Sequence, residues 1–247
     1  MVPADPSAGD GLGPGDAIQR IVAPNAGPFT LEGTNTYLVG TDGCWILDPG
    51  PADSDHLAAV DEAATERGGA LGVVLTHGHD DHSEGAGEFG VEVHRPGEGE
   101  TFGPLQAIAT PGHSPDHVCL LWDRICFAGD LVLGHGSSIV GTEPDALRDT
   151  MSSLRRLAQL DLDRLLPGHG PPVEDPRAKI SEYLEHRAER ERKLLDALTR
   201  GVRSREELLD HAWGDVPDAM RPAADVAMQA HLDKLADDGL LPEEVET

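Results

Sequence analysis

The chain has 247 residues and carries 45 acidic against 19 basic side chains, a formal net charge of −26. Such acidity repels polyanions and argues against a broad nucleic-acid surface, DNA above all, and no apolar stretch approaches the length needed to span a bilayer. With 38% hydrophobic and only 4% aromatic residues, a substantial core must rest on Leu, Val, Ile and Ala.

Residues 1–16 are rich in Gly, Pro and Asp, lack the basic start and apolar run of a secretory signal, and read as a disordered leader. Ala17 to Ala23, Asn35 to Val39 and Trp45 to Leu47 read as strands leading into turns. Asp53 to Arg67 has apolar residues at helical spacing and stops at Gly68-Gly69. Leu71 to Leu75 is a buried strand, and further strand-like runs cover Gln106 to Ala109, His117 to Trp122 and Ile125 to Ala128. Pro144 to Leu160 reads as an amphipathic helix and Arg164 to Leu166 as another short strand, so sheets covered by helices are expected, an α/β layered domain.

After Pro176 the composition shifts. Arg177 to Arg200 reads as one long helix with seven basic and five acidic residues, a solvated face with pairs such as Glu189 and Lys193. A small helical module follows: Ser204 and Glu207 form a capping-box pattern, and Ala223 to Asp237 is a helix stopped at Gly239. Cys44, Cys119 and Cys126 are odd in number and form no CxxC pair; buried thiols in a reducing cytoplasm are expected.

The chemistry concentrates in Thr76-His77-Gly78-His79-Asp80-Asp81-His82, directly after the Leu71 strand, with four potential ligands in six residues. His77 and His79 alternate and can face one ion; Asp81 and His82 follow the turn and can face another. Three more strands end at glycine and present one ligand-type side chain each: His113 in Thr110-Pro111-Gly112-His113, Asp130 after Gly129, and His169 in Pro167-Gly168-His169-Gly170. Imidazoles and carboxylates of this kind suit zinc, with iron or manganese as alternatives. Seven residues can thus surround two ions, more than a structural site with one saturated ion requires. His56, His94, His186, His211 and His231 read as ordinary surface residues.

This set resembles the metallo-β-lactamase superfamily, whose mark is HxHxDH followed by a separate His, Asp and His. The resemblance covers roughly residues 17–172 and implies an αββα sandwich with the site at one edge. It assigns His77, His79 and His113 to a first metal, Asp81, His82 and His169 to a second, and Asp130 as the bridge; Asp48, in Leu47-Asp48-Pro49-Gly50, matches a position that supports the site without ligating. Glu32-Gly33-Thr34-Asn35-Thr36-Tyr37, Leu133-Gly134-His135-Gly136-Ser137-Ser138, the helix with His186-Arg187 and Arg190-Glu191, and a winged-helix-like tail together resemble the β-lactamase-like protein 2 group, whose members are single-strand endoribonucleases and thioesterases. The domains implied are a catalytic unit at 17–175, a connecting helix at 176–200 and a winged-helix-like module at 201–247. The stretch between His82 and His113 is shorter than in most relatives. True β-lactamase activity is disfavoured, because that branch uses Cys near the Asp130 position.

Two metals sharing a water would lower its pKa from about 16 to about 7 and deliver a bridging hydroxide, with Asp81 and Asp130 orienting it. Hydrolysis of a small ester or thioester is the leading expectation. Cleavage of single-stranded RNA is the alternative, and an iron-based redox reaction is a third. Asn35, Ser137 and Ser138 are candidate substrate-side groups or turn residues, and His117 a candidate partner behind a ligand. Twelve acidic against four basic residues in the tail favour packing, including a homodimer contact, over DNA recognition.

Overall fold

The computed structural model describes residues 12–13, 16–242 and 245. The leader expected at 1–16 lies largely outside the described residues; of that stretch, Leu12 is buried against the inter-sheet core.

Two five-stranded sheets stack face to face. The first runs in the order β1 (Ile18–Val22), β2 (Asn35–Val39), β3 (Cys44–Leu47), β4 (Ala70–Val74) and β5 (Val93–His94). The second is built from β6 (Thr101–Phe102), β7 (Leu105–Ala109), β8 (Val118–Trp122), β9 (Ile125–Gly129) and β10 (Arg164–Pro167), with β10 at one edge and β6 at the other. Most neighbours are antiparallel, but β3–β4, β4–β5 and β9–β10 are parallel. Parallel pairs need a crossover. Helix α1 (Ser54–Glu66) supplies it between β3 and β4, and α3 (Ala146–Leu157) between β9 and β10.

Period-two alternation explains why both faces of the sheets are apolar. Tyr37, Val39, Leu47 and Val74 point between the sheets, where they meet Leu105, Leu120, Phe127 and Leu166. Their neighbours Leu38, Ile46 and Val73 point outward and are covered by Val60, Ala63 and Ala64 of α1. On the opposite side Ile108, Cys119, Cys126 and Leu165 are covered by Leu154 and Leu157 of α3 and by Ile180 and Tyr183 of α4 (Pro176–Thr199). The result is the expected αββα sandwich, and all three cysteines are buried and unbridged. Asp53 caps α1 by accepting a hydrogen bond from the His56 amide at 2.9 Å.

The end of α4, α5 (Arg205–Trp213) and α6 (Arg221–Asp237) enclose a second core of Leu194, Leu198, Leu208, Trp213, Met228 and Leu232. Among the described residues this module has no strand. Ser204 occupies the N-cap of α5, but its hydroxyl makes no capping bond, contrary to the expected capping box. The two-residue strands β5 and β6 and the short helix α2 (Asp80–Ser83) lie outside the sequence expectation; a pair of residues shows no periodicity. No helix among the described residues is long and apolar enough to cross a membrane.

Candidate metal centre

Parallel pairing sets the direction of β4, β9 and β10, and β7 runs the same way as β9, two antiparallel steps across the sheet. Side chains at the carboxyl ends of these strands therefore meet at one rim of the sandwich, where α/β sheets commonly place their sites. His77 follows β4, His113 follows β7, Asp130 follows β9 and His169 follows β10. The sheets are joined there by hydrogen bonds from the Val118 amide to the Thr76 carbonyl (2.8 Å) and from the Asn35 amide to the Gly168 carbonyl (2.7 Å). His79, Asp81 and His82 lie at and within the N-terminal turn of α2.

The structure brings all seven predicted ligands together, in three overlapping groups: His77, His79 and His113; His77, His82 and Asp130; and Asp81, His82 and His169. In the first group His79 Nδ1 lies 3.0 Å from His77 Nε2 and 2.9 Å from His113 Nε2. In the last, His169 Nε2 is 3.2 Å from both His82 Nε2 and Asp81 Oδ2. Asp130 reaches both sides: Oδ2 is 3.7 Å from His113 Nε2 and 3.3 Å from His169 Nε2, and Oδ1 is 3.5 Å from His82 Nε2. A tetrahedral ion with bonds near 2.0–2.1 Å separates its ligand atoms by about 3.3 Å, which is the spacing found here.

Hydrogen bonds behind the rings fix which nitrogen faces inward. Asp48 is buried with φ 47°, an unusual conformation for a residue with a side chain. Its Oδ1 accepts from the Thr76 amide (2.7 Å), and its Oδ2 accepts from the Thr76 hydroxyl (2.7 Å) and from His82 Nδ1 (3.0 Å). The Thr76 oxygen in turn accepts from His77 Nδ1 at 3.0 Å. His113 Nδ1 donates to the Ile139 carbonyl at 3.0 Å and His169 Nδ1 to the Gly33 carbonyl at 3.2 Å. With the outer nitrogens occupied as donors, four Nε2 atoms turn inward, each able to take a proton or a metal ion. Asp130 Oδ1 is buried with no hydrogen-bond partner among the described residues, a costly arrangement that a cation relieves. The donor set and this orphaned oxygen both fit metal ions.

Electrostatics agree. Burial opposes a charge on His82, but the Asp130 and Asp48 carboxylates outweigh it and raise its pKa well above the usual histidine value. Burial likewise opposes charge on His169, and hydrogen bonds to Asp130 and Asp81 lift it to about 9. Burial would raise Asp130, yet the neighbouring His82 and His169 hold it well below the carboxylate range. His77, by contrast, is pushed down, first by burial and then by His82 and His117. The centre is thus organised around positive charge concentrated on its Asp130 side.

His117 is buried and supports Asp130 from behind: its Nε2 accepts from the Asp130 amide at 3.1 Å, while Nδ1 lies 2.9 Å from the Thr110 hydroxyl. Asn35 directs its side-chain amide to the carbonyls of Pro167 and Gly170, both at 2.8 Å, and so braces the turn that carries His169. Ser138 is buried and donates to the Leu131 carbonyl at 3.2 Å, while the Ser137 hydroxyl is a buried group without a partner among the described residues. Gly168 permits the close packing, since a Cβ there would lie 2.4 Å from Asp130 Oδ1. Two surface assignments are corrected. His56 is buried and touches the Thr36 hydroxyl (3.0 Å) and the Pro49 carbonyl (3.1 Å), and His231 is fully buried beneath Trp213. Their contacts lie on other elements, beyond what local sequence shows.

Residues 90–169 match the metallo-beta-lactamase superfamily profile, and residues 204–245 match the beta-lactamase associated winged helix domain. The chain is 33% identical, over 259 aligned positions, to the beta-lactamase-like protein 2 homolog of Caenorhabditis elegans, covering 92% of this chain and 86% of that protein. The chain belongs to the metallo-beta-lactamase superfamily. This superfamily member is also 31% identical to the atrochrysone carboxyl ACP thioesterase of Passalora fulva, over 92% of this chain and 78% of the relative. Its fold is similar to that of a beta-lactamase domain protein from Burkholderia ambifaria, with a TM-score of 0.78 and 20% identity over 96% of this chain and 91% of that one. It is likewise similar to a metallo-beta-lactamase family protein from Thermus thermophilus, with a TM-score of 0.74 and 22% identity over 90% of this chain and 94% of that one. With the His/Asp cluster in place, the protein is a metal-dependent hydrolase of this superfamily.

Proposed function

We propose that this hydrolase cleaves a small thioester to a carboxylic acid and a thiol, with zinc in both sites. Similarity to a thioesterase over nearly the whole chain carries the reading, together with a cluster open on one side: His77, His82, Asp130 and His169 are buried, while His79 is exposed and His113 and Asp81 are partly so. A saturated structural site would be closed. His77, His79 and His113 would hold one ion, Asp81, His82 and His169 the other, with Asp130 in reach of both. Zinc bound there supplies Lewis acidity towards a carbonyl oxygen and acidifies water near neutral pH.

The chain's own groups do the positioning. Asp81 stays ionised: burial works against this, but the His169 hydrogen bond and the His82 charge outweigh it. It can therefore accept a hydrogen bond from the attacking water and orient it.

The same chemistry serves a phosphodiester, so RNA is the reading to separate. The helix that carries the locally basic sequence weakens it: of seven cationic residues in the stretch from Arg177 to Arg200, Arg187 and Arg190 are buried, and Lys179, Lys193 and Arg200 pair with Glu182, Glu189 and Asp196. The test sets a thioester, an aryl ester and a single-stranded RNA side by side, each with and without chelator. Thioester turnover that is lost on chelation and restored by zinc is the expected result; RNA cleavage with no thioester turnover would overturn the reading.

A further inference from the structure

Away from the metal centre, α3, α4 and α6 enclose a cavity of about 300 Å³, within the usual size range of small-ligand sites. Its walls carry Arg148, Arg155, Arg187 and Lys234 against a single carboxylate, Glu191, in a chain whose formal charge is −26. Arg148 and Lys234 are held at the rim by Asp238, at 2.6 and 2.9 Å, and Lys234 also pairs with Glu191 at 3.0 Å. The other two cations have no such partner among the described residues. Arg187 is 3% exposed, makes one hydrogen bond, to the Ser138 carbonyl, and leaves Nε without an acceptor. Arg155 is exposed and has no ion pair among the described residues. His231, which also lines the cavity, is fully buried, and neither ring nitrogen has a hydrogen-bond partner there; Glu191 Oε2 is 3.7 Å away, too far for one.

A buried guanidinium without a counter-anion and a buried imidazole without a partner are each unfavourable unless something fills the space between them. We propose that this cavity is a binding site for a compact oxyanion of the phosphate class, borne by a small molecule. Arg187 and Arg155 supply guanidinium donors suited to two oxygens at once, and His231 a ring N–H. The site is separate from the catalytic rim but mechanically tied to it. Arg187 holds the carbonyl of Ser138, and the next carbonyl, that of Ile139, accepts the hydrogen bond that orients His113.

The test is calorimetric titration of the metal-loaded protein with inorganic phosphate, in chloride buffer of fixed ionic strength near 0.15 M, where charges beyond about 8 Å are screened. Saturable binding is expected. Arg155→Glu should weaken it at least about fivefold, as loss of a charge-assisted contact at a partly exposed position implies, with metal content and melting temperature unchanged. Arg187→Met should abolish phosphate stabilisation; should that variant fail to fold, Arg155→Glu alone decides. Binding no stronger than that of chloride, or phosphate affinity equal in wild type and Arg155→Glu because the anion sits on the metals, would overturn the proposal. A carboxylate probe such as acetate, binding as tightly as phosphate with the same Arg155 dependence, would also overturn the phosphate assignment.

Discussion

The metal centre has two unlike halves. Around His77, His82, Asp130 and His169 the protein has closed the space and given each ring a fixed partner behind it: Thr76 for His77, Asp48 for His82 and the Gly33 carbonyl for His169. Across from it His79 is exposed and Asp81 and His113 are partly so, with only His113 tied back, to a loop carbonyl. The contrast teaches that burial and hydrogen bonding are invested where charge must be held, and withheld where substrate must enter. Losses in the closed half should therefore be large and should act through metal retention. Losses on the outer surface should be nearly silent.

The largest effect is expected for Asp130→Ala. It removes a buried carboxylate that faces His82, His113 and His169, and breaking a buried charge cluster costs about 4 kcal/mol, or roughly 10³-fold in kcat/KM if it falls on the transition state. Steady-state kinetics at saturating zinc check this; a loss below tenfold would show that Asp130 does not join the two sides. Next comes Asp48→Asn, which places an amide donor where the carboxylate now accepts from Thr76 and His82. Outer-sphere losses of this kind lower metal affinity about 10- to 100-fold, to be read by competition with a chelating dye. An affinity equal to wild type would break the claim that the closed half is held from behind.

A pH series sharpens the comparison further. In the metal-free protein His169 has a pKa raised to about 9, so at neutral pH a proton occupies the place of a metal ion. Zinc affinity should rise as pH climbs from 7 through about 9. The metal-free protein should behave oppositely: the stability His169 contributes is complete below its unfolded value near 6.5 and is lost as pH rises through about 9. Affinity independent of pH over this window would contradict the assignment. The smallest effect is expected for Arg156→Ala, which breaks a pair with Glu98 at 2.6 Å on the surface. A change in melting temperature within about 2 °C is expected by differential scanning calorimetry.

Much of this architecture was legible from sequence because the ligands follow short apolar runs that end at glycine. Leu75-Thr76-His77 and Ala128-Gly129-Asp130 state both the strand and the side chain it delivers. Asp48 gave no chemical signal of its own; only the resemblance pointed to it, and its role becomes physical once β3 and β4 lie side by side. The burial of His56 and His231 and the bracing role of Asn35 depend on contacts between distant elements, such as Asn35 with Pro167 and Gly170. In sequence Arg187 reads as part of a solvated helix face, since nothing local shows that α3 and α6 close over it. Two-residue strands and an N-cap serine without its capping bond, β5, β6 and Ser204, lie below what periodicity or motif can resolve.

Metal stoichiometry tests the central claim most directly. Elemental analysis combined with native mass spectrometry on zinc-reconstituted protein should give two ions per chain, and no more than one in the folded Asp130→Ala variant. A single ion in the wild type, or two retained without Asp130, would contradict a centre built from two ligand groups joined by that carboxylate.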